Sequence, residues 1–293
     1  MHILPASEQL PVNVNPFYCW QGDAGRREVL FYRLSEAYLI RHPGLVDFTL
    51  WPSNQKVSAV PVPSISDTTV EYIFNNQIQP LLSSAQGRLV LHGSAVASPD
   101  GALVFLAPSG TGKSTVASFL AGVGFPLLSD DAVTLLPGNV STQVQPAFPG
   151  VRLWEDSLDA LGLRGVSAQQ GAEYSEKYQV AAGGSMAYCE SAQPLCAVFL
   201  LSRGDGIDLN LKPLSGSEAL VSVLRNSFFL SFDDRPKVVE HFARTRCLLG
   251  DTPVVELSYS TGYDQLADIA QRFANMDFVN MGPVAHPSSL HSP

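Results

Sequence analysis

Ala107-Pro108-Ser109-Gly110-Thr111-Gly112-Lys113-Ser114 is the stretch on which the reading of this 293-residue chain turns. It matches the phosphate-loop pattern at the closing Gly-Lys-Ser, with Ala107 standing where the first glycine usually sits. The spacing has a chemical reason. Gly110 and Gly112 let the backbone curl so that successive N–H groups point inward at phosphate oxygens. Lys113 adds a point charge at the β/γ-phosphates, and the Ser114 hydroxyl suits a Mg²⁺ ion. Ser109, Gly110, Thr111, Gly112, Lys113, Ser114 and Thr115 are therefore the expected nucleotide contacts. Lys113 is expected to be exposed, with nothing in the fold depending on it. The setting agrees with the motif. Ala102-Leu103-Val104-Phe105-Leu106 is a continuous apolar run that reads as a buried strand, and Ser114 to Leu120 reads as a helix whose N-terminus favours an anion.

Working outward, Asp130-Asp131 follows one helix length after the loop, between Phe125–Ser129 and Ala132–Leu136. Phosphoryl transfer needs a metal organiser and often a carboxylate near the acceptor hydroxyl. Adjacent residues on a strand point to opposite faces, so one aspartate is expected to face the phosphates and the other to support the site from behind. On the other side, Arg88 to Ala97 reads as one strand. A turn at Ser98-Pro99-Asp100-Gly101 pairs it antiparallel with the strand that enters the loop, and this pairing brings His92 near the phosphate end. Arg152, Lys177 and Arg225 are candidate cations for the transferring phosphate.

Composition bounds the remaining classes. A hydrophobic content of 45% with 15% charged residues describes a chain that buries a substantial core. A net charge of −9 argues against general affinity for nucleic acid. The apolar runs are too short for a membrane span, the start Met1-His2-Ile3-Leu4-Pro5 lacks a secretion signal, and Cys19, Cys189, Cys196 and Cys247 form no C-x-x-C pair. A cytoplasmic protein with no membrane partner and reduced cysteines is expected.

The organisation changes near residue 85. Short apolar segments punctuated by Pro and Gly mark residues 1–66 as a small β-rich module. Residues 67–84 read as a bridging helix, with Asp67 or Thr68 as its cap. Residues 85–278 read as the catalytic domain and 279–293 as a disordered tail. Within the domain, Leu161 to Ala187 is rich in Gly, Ser, Ala and Gln, and reads as a long flexible connection over the site that would carry Lys177.

His92-Gly93, Ser109–Ser114 and Asp130-Asp131 together resemble the catalytic domain of HPr kinase/phosphorylase. The resemblance implies an α/β fold, a mixed sheet carrying a phosphate loop and related to phosphoenolpyruvate carboxykinases. It also implies ATP and Mg²⁺ as cofactors and transfer to a serine hydroxyl of a polypeptide. By position, Asp130 would be the general base, Asp131 would support it or hold the metal with Ser114, and His92 would orient the cluster. The signature that follows the catalytic pair in that family is not recognisable in this chain. Pro149–Ser157 and Glu176-Lys177-Tyr178 instead resemble the smaller homologues of peptide natural-product clusters, which include kinases acting on the C-terminal serine of lasso-peptide precursors. The expected partner is a peptide or protein with an acceptor serine, and homo-oligomers stay open. The alternatives are an HPr-type protein kinase, a small-molecule kinase, or a nucleotide-gated binding protein without transfer chemistry.

Overall fold

The computed structural model describes residues 1–20, 29–164, 168–172, 175–250, 252–276 and 278; the expected tail lies outside them. The chain divides into two units. One is built on Met1–Arg88 and Phe229–Val239, the other on Leu89–Gly171, Ser175–Phe228 and the stretch from Glu240.

The first unit is a six-stranded sheet of β1 (His2–Ile3), β2 (Tyr18–Trp20), β3 (Val29–Arg33), β4 (Tyr38–His42), β5 (Val46–Trp51) and β6 (Lys56–Pro61), in the order β1-β6-β5-β4-β3-β2. Only the β1–β6 pair is parallel. Alternation explains the sheet. Tyr38, Ile40 and His42 on β4 and Val46, Phe48 and Leu50 on β5 are buried, while the residues between them are less so. Helix α1 (Asp67–Ile73) follows, capped by Ser66, whose Oγ accepts from the Thr69 N–H at 3.3 Å. The cap is thus one residue earlier than the sequence suggested. The expected single helix also widens to a π-turn over Phe74–Ile78 before α2 (Gln79–Ala85). Pro80 gives the reason, since it has no N–H to donate back one turn. Phe229–Val239 joins this unit through side chains that the sequence alone did not connect to it. The Tyr38 hydroxyl meets Ser231 Oγ at 2.9 Å, Tyr18 stacks on Phe232 at 4.3 Å, and Arg33 Nε donates to Asp233 at 2.6 Å.

The second unit centres on a mixed sheet. Its strands are β7 (Leu89–Leu91), β8 (Gly93–Ser98), β9 (Gly101–Leu106), β10 (Leu127–Ser129), β11 (Val133–Leu136), β12 (Gln143–Gln145), β16 (Gln193–Gly204), β17 (Asn210–Leu214) and β18 (Val254–Ser260). Strands β9, β16 and β18 run parallel; β8 and β17 flank them antiparallel, and β10 pairs antiparallel with β8. The full burial of β9 follows from its position between two cores. Leu103 and Phe105 face one core, beside Val116, Leu120, Phe199 and Phe273. Ala102, Val104 and Leu106 face the other, beside Leu91, Val133, Val198 and Val223. Phe199 packs between Phe105 and Phe273, with ring centroids 5.7 and 4.8 Å away.

Helix α3 (Lys113–Gly122) follows the glycine loop directly. A three-stranded sheet adds β13 (Gly150–Leu153), β14 (Ala168–Ala172) and β15 (Ser175–Ala181), with α4 (Glu155–Ala160) between β13 and β14. Helices α5 (Gly216–Arg225), α6 (Arg235–Leu249) and α7 (Leu266–Ala274) complete the described chain. Among the described residues no helix is long and apolar enough to cross a membrane.

Two further expectations are corrected. The run Arg88–Ala97 is not one strand: it breaks at His92, so that β7 pairs with β11 while β8 pairs with β9 and β10. The hairpin through Ser98–Gly101 does form, in the register Ser98↔Gly101 to Gly93↔Leu106. In its described residues, the Leu161–Ala187 stretch is not an irregular connection either. It holds β14 and most of a hairpin-like sheet in which β15 pairs residue by residue with β13, including Arg152↔Gln179. Its small polar residues hid β15, whose partner β13 lies earlier in the chain, and β14, which joins the sheet beside β15.

Candidate active site

The glycine loop leaves β9 at Leu106 and enters α3 at Lys113, with Gly110 at φ 82° and Gly112 at φ 107°. Both angles lie in the region that glycine reaches without steric cost, so the loop conformation selects glycine at these positions. Gly112 also has no room for a side chain: a Cβ there would lie 2.8 Å from the Tyr259 hydroxyl. That hydroxyl donates to the Thr111 carbonyl at 3.0 Å and ties the loop to the end of β18.

Lys113 is buried, with 6% of its surface exposed, and so corrects the expectation of an exposed side chain. Its Nζ donates to the carbonyls of Ala107 at 2.8 Å and Pro108 at 3.2 Å, folding back across the loop. Burial pushes its pKa down to about 8, against the pull of Asp131 and Asp130.

The aspartates do not lie on a strand. Strand β10 ends at Ser129, and the chain turns tightly there: the Ala132 N–H donates to the Asp130 carbonyl at 2.8 Å, and Asp131 takes φ 63°. A left-handed non-glycine residue is uncommon, although Asp tolerates the region better than most. The turn cancels the alternation expected of strand neighbours, and both carboxylates reach the same residue, Arg152. Asp130 Oδ1 accepts from Ser94 Oγ at 2.6 Å and Ser114 Oγ at 2.9 Å, while its Oδ2 accepts from the Arg152 backbone N–H at 2.9 Å. Asp131 takes the Arg152 guanidinium in an ion pair.

Their electrostatics diverge accordingly. Burial, then the charge of Asp131, push Asp130 above the usual carboxylate range despite its three donors. Burial pushes Asp131 up as well, but the Arg152 charge and hydrogen bond overcome it and hold Asp131 near 2. One carboxylate therefore has raised proton affinity and the other is a fixed anion.

His92 sits at the break between β7 and β8, its N–H donating to the Asn226 carbonyl at 2.6 Å and its ring 5.9 Å from that of Phe228. Burial and then Lys113 push its pKa down to about 4, while Asp131 pulls it up. Lys177 lies on β15 with Nζ 5.5 Å from the Trp154 ring centre, and its charge acts on His92, Lys113 and Asp131. The structure thus groups His92, Lys113, Ser114, Asp130, Asp131, Arg152 and Lys177. Ser114 and Asp131, expected together, are each bonded elsewhere: the serine to Asp130, the aspartate to Arg152. Arg225 lies exposed in the last turn of α5.

Sequence reading missed several residues. Ser94 is fully buried on β8, and its signal was a hydroxyl inside an apolar run. Ser157 Oγ meets Thr115 Oγ1 at 3.1 Å and the Tyr263 hydroxyl at 3.3 Å, linking the first turn of α3 to α4. Arg203 and Tyr259 reach the loop from two later strands, and nothing in their local sequence marks them. An open cleft of about 770 Å³ begins at Gly110 and is lined by Trp154, Glu155, Asp156, Asp159 and Arg164.

No protein-family model matches the chain, and no curated protein matches it. Among solved structures it is similar to the HPr(Ser) kinase/phosphatase from Coxiella burnetii. The TM-score is 0.33 and the identity 13%, over 64% of this chain and 88% of that one.

Proposed function

We propose that this protein is an ATP-dependent kinase that phosphorylates a serine hydroxyl of a peptide. The observation that carries the reading is Asp130, a half-buried carboxylate with raised proton affinity bonded directly to Ser114 at the start of α3. A loop that only sensed nucleotide would need no such group beside its serine. Ser109 to Thr115 would hold the phosphates, with Lys113 swinging from the loop carbonyls to the phosphate oxygens.

The donors fit Mg²⁺. Ser114 Oγ and the carboxylates beside it are hard oxygen ligands, and this ion is usually held by one or two carboxylates plus substrate phosphates. When bound, it would neutralise charge on the β- and γ-phosphates. Asp130 would take the proton of the acceptor hydroxyl as that oxygen bonds to the γ-phosphorus and the bond to the departing ADP oxygen breaks. Arg152 keeps Asp131 anionic, and this fixed negative charge raises the proton affinity of Asp130. His92 would orient the cluster, and Lys177 with Arg152 would offset charge on the transferring group.

The acceptor would enter through the cleft at Gly110 and Trp154 as an extended chain end. This suits a C-terminal serine of a short precursor such as a lasso-peptide precursor, the class suggested by Pro149–Ser157 and Glu176-Lys177-Tyr178. The test is incubation with Mg-ATP and candidate peptides, followed by mass spectrometry. A phosphate on the C-terminal serine supports the reading. Transfer only to a folded carrier protein or a free metabolite rejects it.

A further inference from the structure

The three parallel strands β9, β16 and β18 end at the same edge of the sheet. Strand β9 passes into the glycine loop after Leu106, the residue in register with Leu200 of β16. Arg203 stands three residues further along β16, level with the loop and in register with Tyr259 of β18. In open α/β sheets, ligands bind outside the carboxyl ends of the strands, so both residues project from the ligand end.

Arg203 is directed at the loop. Its Nη1 lies 3.7 Å from where a Gly112 Cβ would stand, next to the Tyr259 hydroxyl that holds the Thr111 carbonyl. Its charge acts on both Tyr259 and Tyr263. Its Nε is buried and has no hydrogen-bond partner among the described residues. A guanidinium offers five donors in a rigid fork, and leaving one buried donor unmatched is costly. The Tyr259 hydroxyl donates its proton to Thr111, and its oxygen does not accept from Arg203 Nε.

The order β10-β8-β9-β16 sets the acid pair and Arg203 on opposite flanks of the loop strand. We propose that Arg203 is a phosphate-binding residue, its fork meeting the nucleotide's phosphate chain from the flank opposite Asp130 and Asp131. Lys113 then serves the loop side and Arg203 the β16 side of the same chain of phosphates. Arginine pairs with phosphate by two parallel N–H···O bonds, which a lysine cannot reproduce. The inference rests on the proposed nucleotide site and adds to it a cation that the loop motif does not contain.

The experiment titrates the full chain with Mg-ATP and separately with magnesium tripolyphosphate, in wild type, Arg203→Gln, Arg203→Lys and Lys113→Ala. Arg203→Gln is expected to weaken both ligands alike, by about 10- to 100-fold, the range of one or two lost charge-assisted bonds. Arg203→Lys should recover part of the loss, and the ligand-free melting temperature should stay near wild type. If Arg203→Gln does not fold, Arg203→Lys decides, with a loss of about threefold or more expected. Wild-type affinity for both ligands in the Arg203 variants, with binding lost in Lys113→Ala, overturns this inference and leaves the nucleotide site standing. A loss for ATP alone, with tripolyphosphate unchanged, overturns the phosphate assignment. Absence of binding by the wild type overturns both.

Discussion

Replacing Asp130 by Asn and by Ala separates what this carboxylate does for the fold from what it does for chemistry. Asp130 accepts three hydrogen bonds, from Ser94, Ser114 and the Arg152 N–H. Asn can satisfy all three partners. Its oxygen takes the fixed Arg152 N–H, and its NH₂ donates to the two serine oxygens, whose hydroxyl hydrogens rotate away. Exchanging charged for neutral bonds costs about 1 kcal/mol each. Against that, the neutral side chain escapes both the burial penalty and the repulsion of Asp131 that raise the Asp130 pKa. The two effects nearly cancel, so Asp130→Asn should lose less than about 1.5 kcal/mol of stability. Ala leaves the Arg152 N–H, the buried Ser94 hydroxyl and the half-buried Ser114 hydroxyl without this acceptor, at about 1–3 kcal/mol each, so a loss of about 3–9 kcal/mol is expected. Urea unfolding of both variants reads these numbers. Phosphoryl transfer should fall by about 10²-fold or more in Asp130→Asn, because its amide accepts no proton. Equal destabilisation by Asn and Ala would refute the bonding pattern. Wild-type transfer by a stable Asp130→Asn would refute the base, and if Mg-nucleotide binding weakened instead, it would assign Asp130 to the metal.

Lys113→Ala should abolish phosphate transfer; because two loop carbonyls lose their buried donor, it should also cost about 1–3 kcal/mol of stability, measurable by thermal unfolding. Gly93→Ala should destabilise by about 1–3 kcal/mol in the same assay, since its Cβ would stand 2.6 Å from the Phe105 carbonyl oxygen and 2.7 Å from Leu106 Cδ2; a neutral result would contradict this packing. Burial holds His42, His92 and His241 near pKa 4, below the ordinary value of 6.5. Their contribution is complete above pH 6.5 and is lost as pH falls towards 4, by up to about 3 kcal/mol per histidine. A denaturation midpoint that stays flat from pH 7 to 4.5 would refute it.

The local structure around residues 98–122 was legible in the sequence. The strand Ala102–Leu106, the glycine loop and the helix after it are each specified by neighbouring residues: an apolar run, two glycines at positive φ, and a helix that starts at Lys113. The hairpin through Ser98–Gly101 was equally local. Asp130-Asp131 stood out as a pair, but periodicity assigned its two carboxylates to opposite faces. Only the turn at Asp131, and the arrival of Arg152 from β13, brings both to one cluster. The strands within Leu161–Ala187 were illegible because β15 pairs with the distant β13 and β14 joins only through β15, and small polar residues declare no strand without such partners. Lys113 looked like a surface lysine because its burial comes from its folding back onto the loop. Arg203 and Tyr259 belong to strands that meet the loop through sheet order alone, and Ser94 meets Asp130 because β10 pairs with β8. Residues adjacent in the chain fix the conformation of the loop, whereas the burial and pairing that shift each acid and each cation arise from residues distant in sequence, which only the folded sheet brings together.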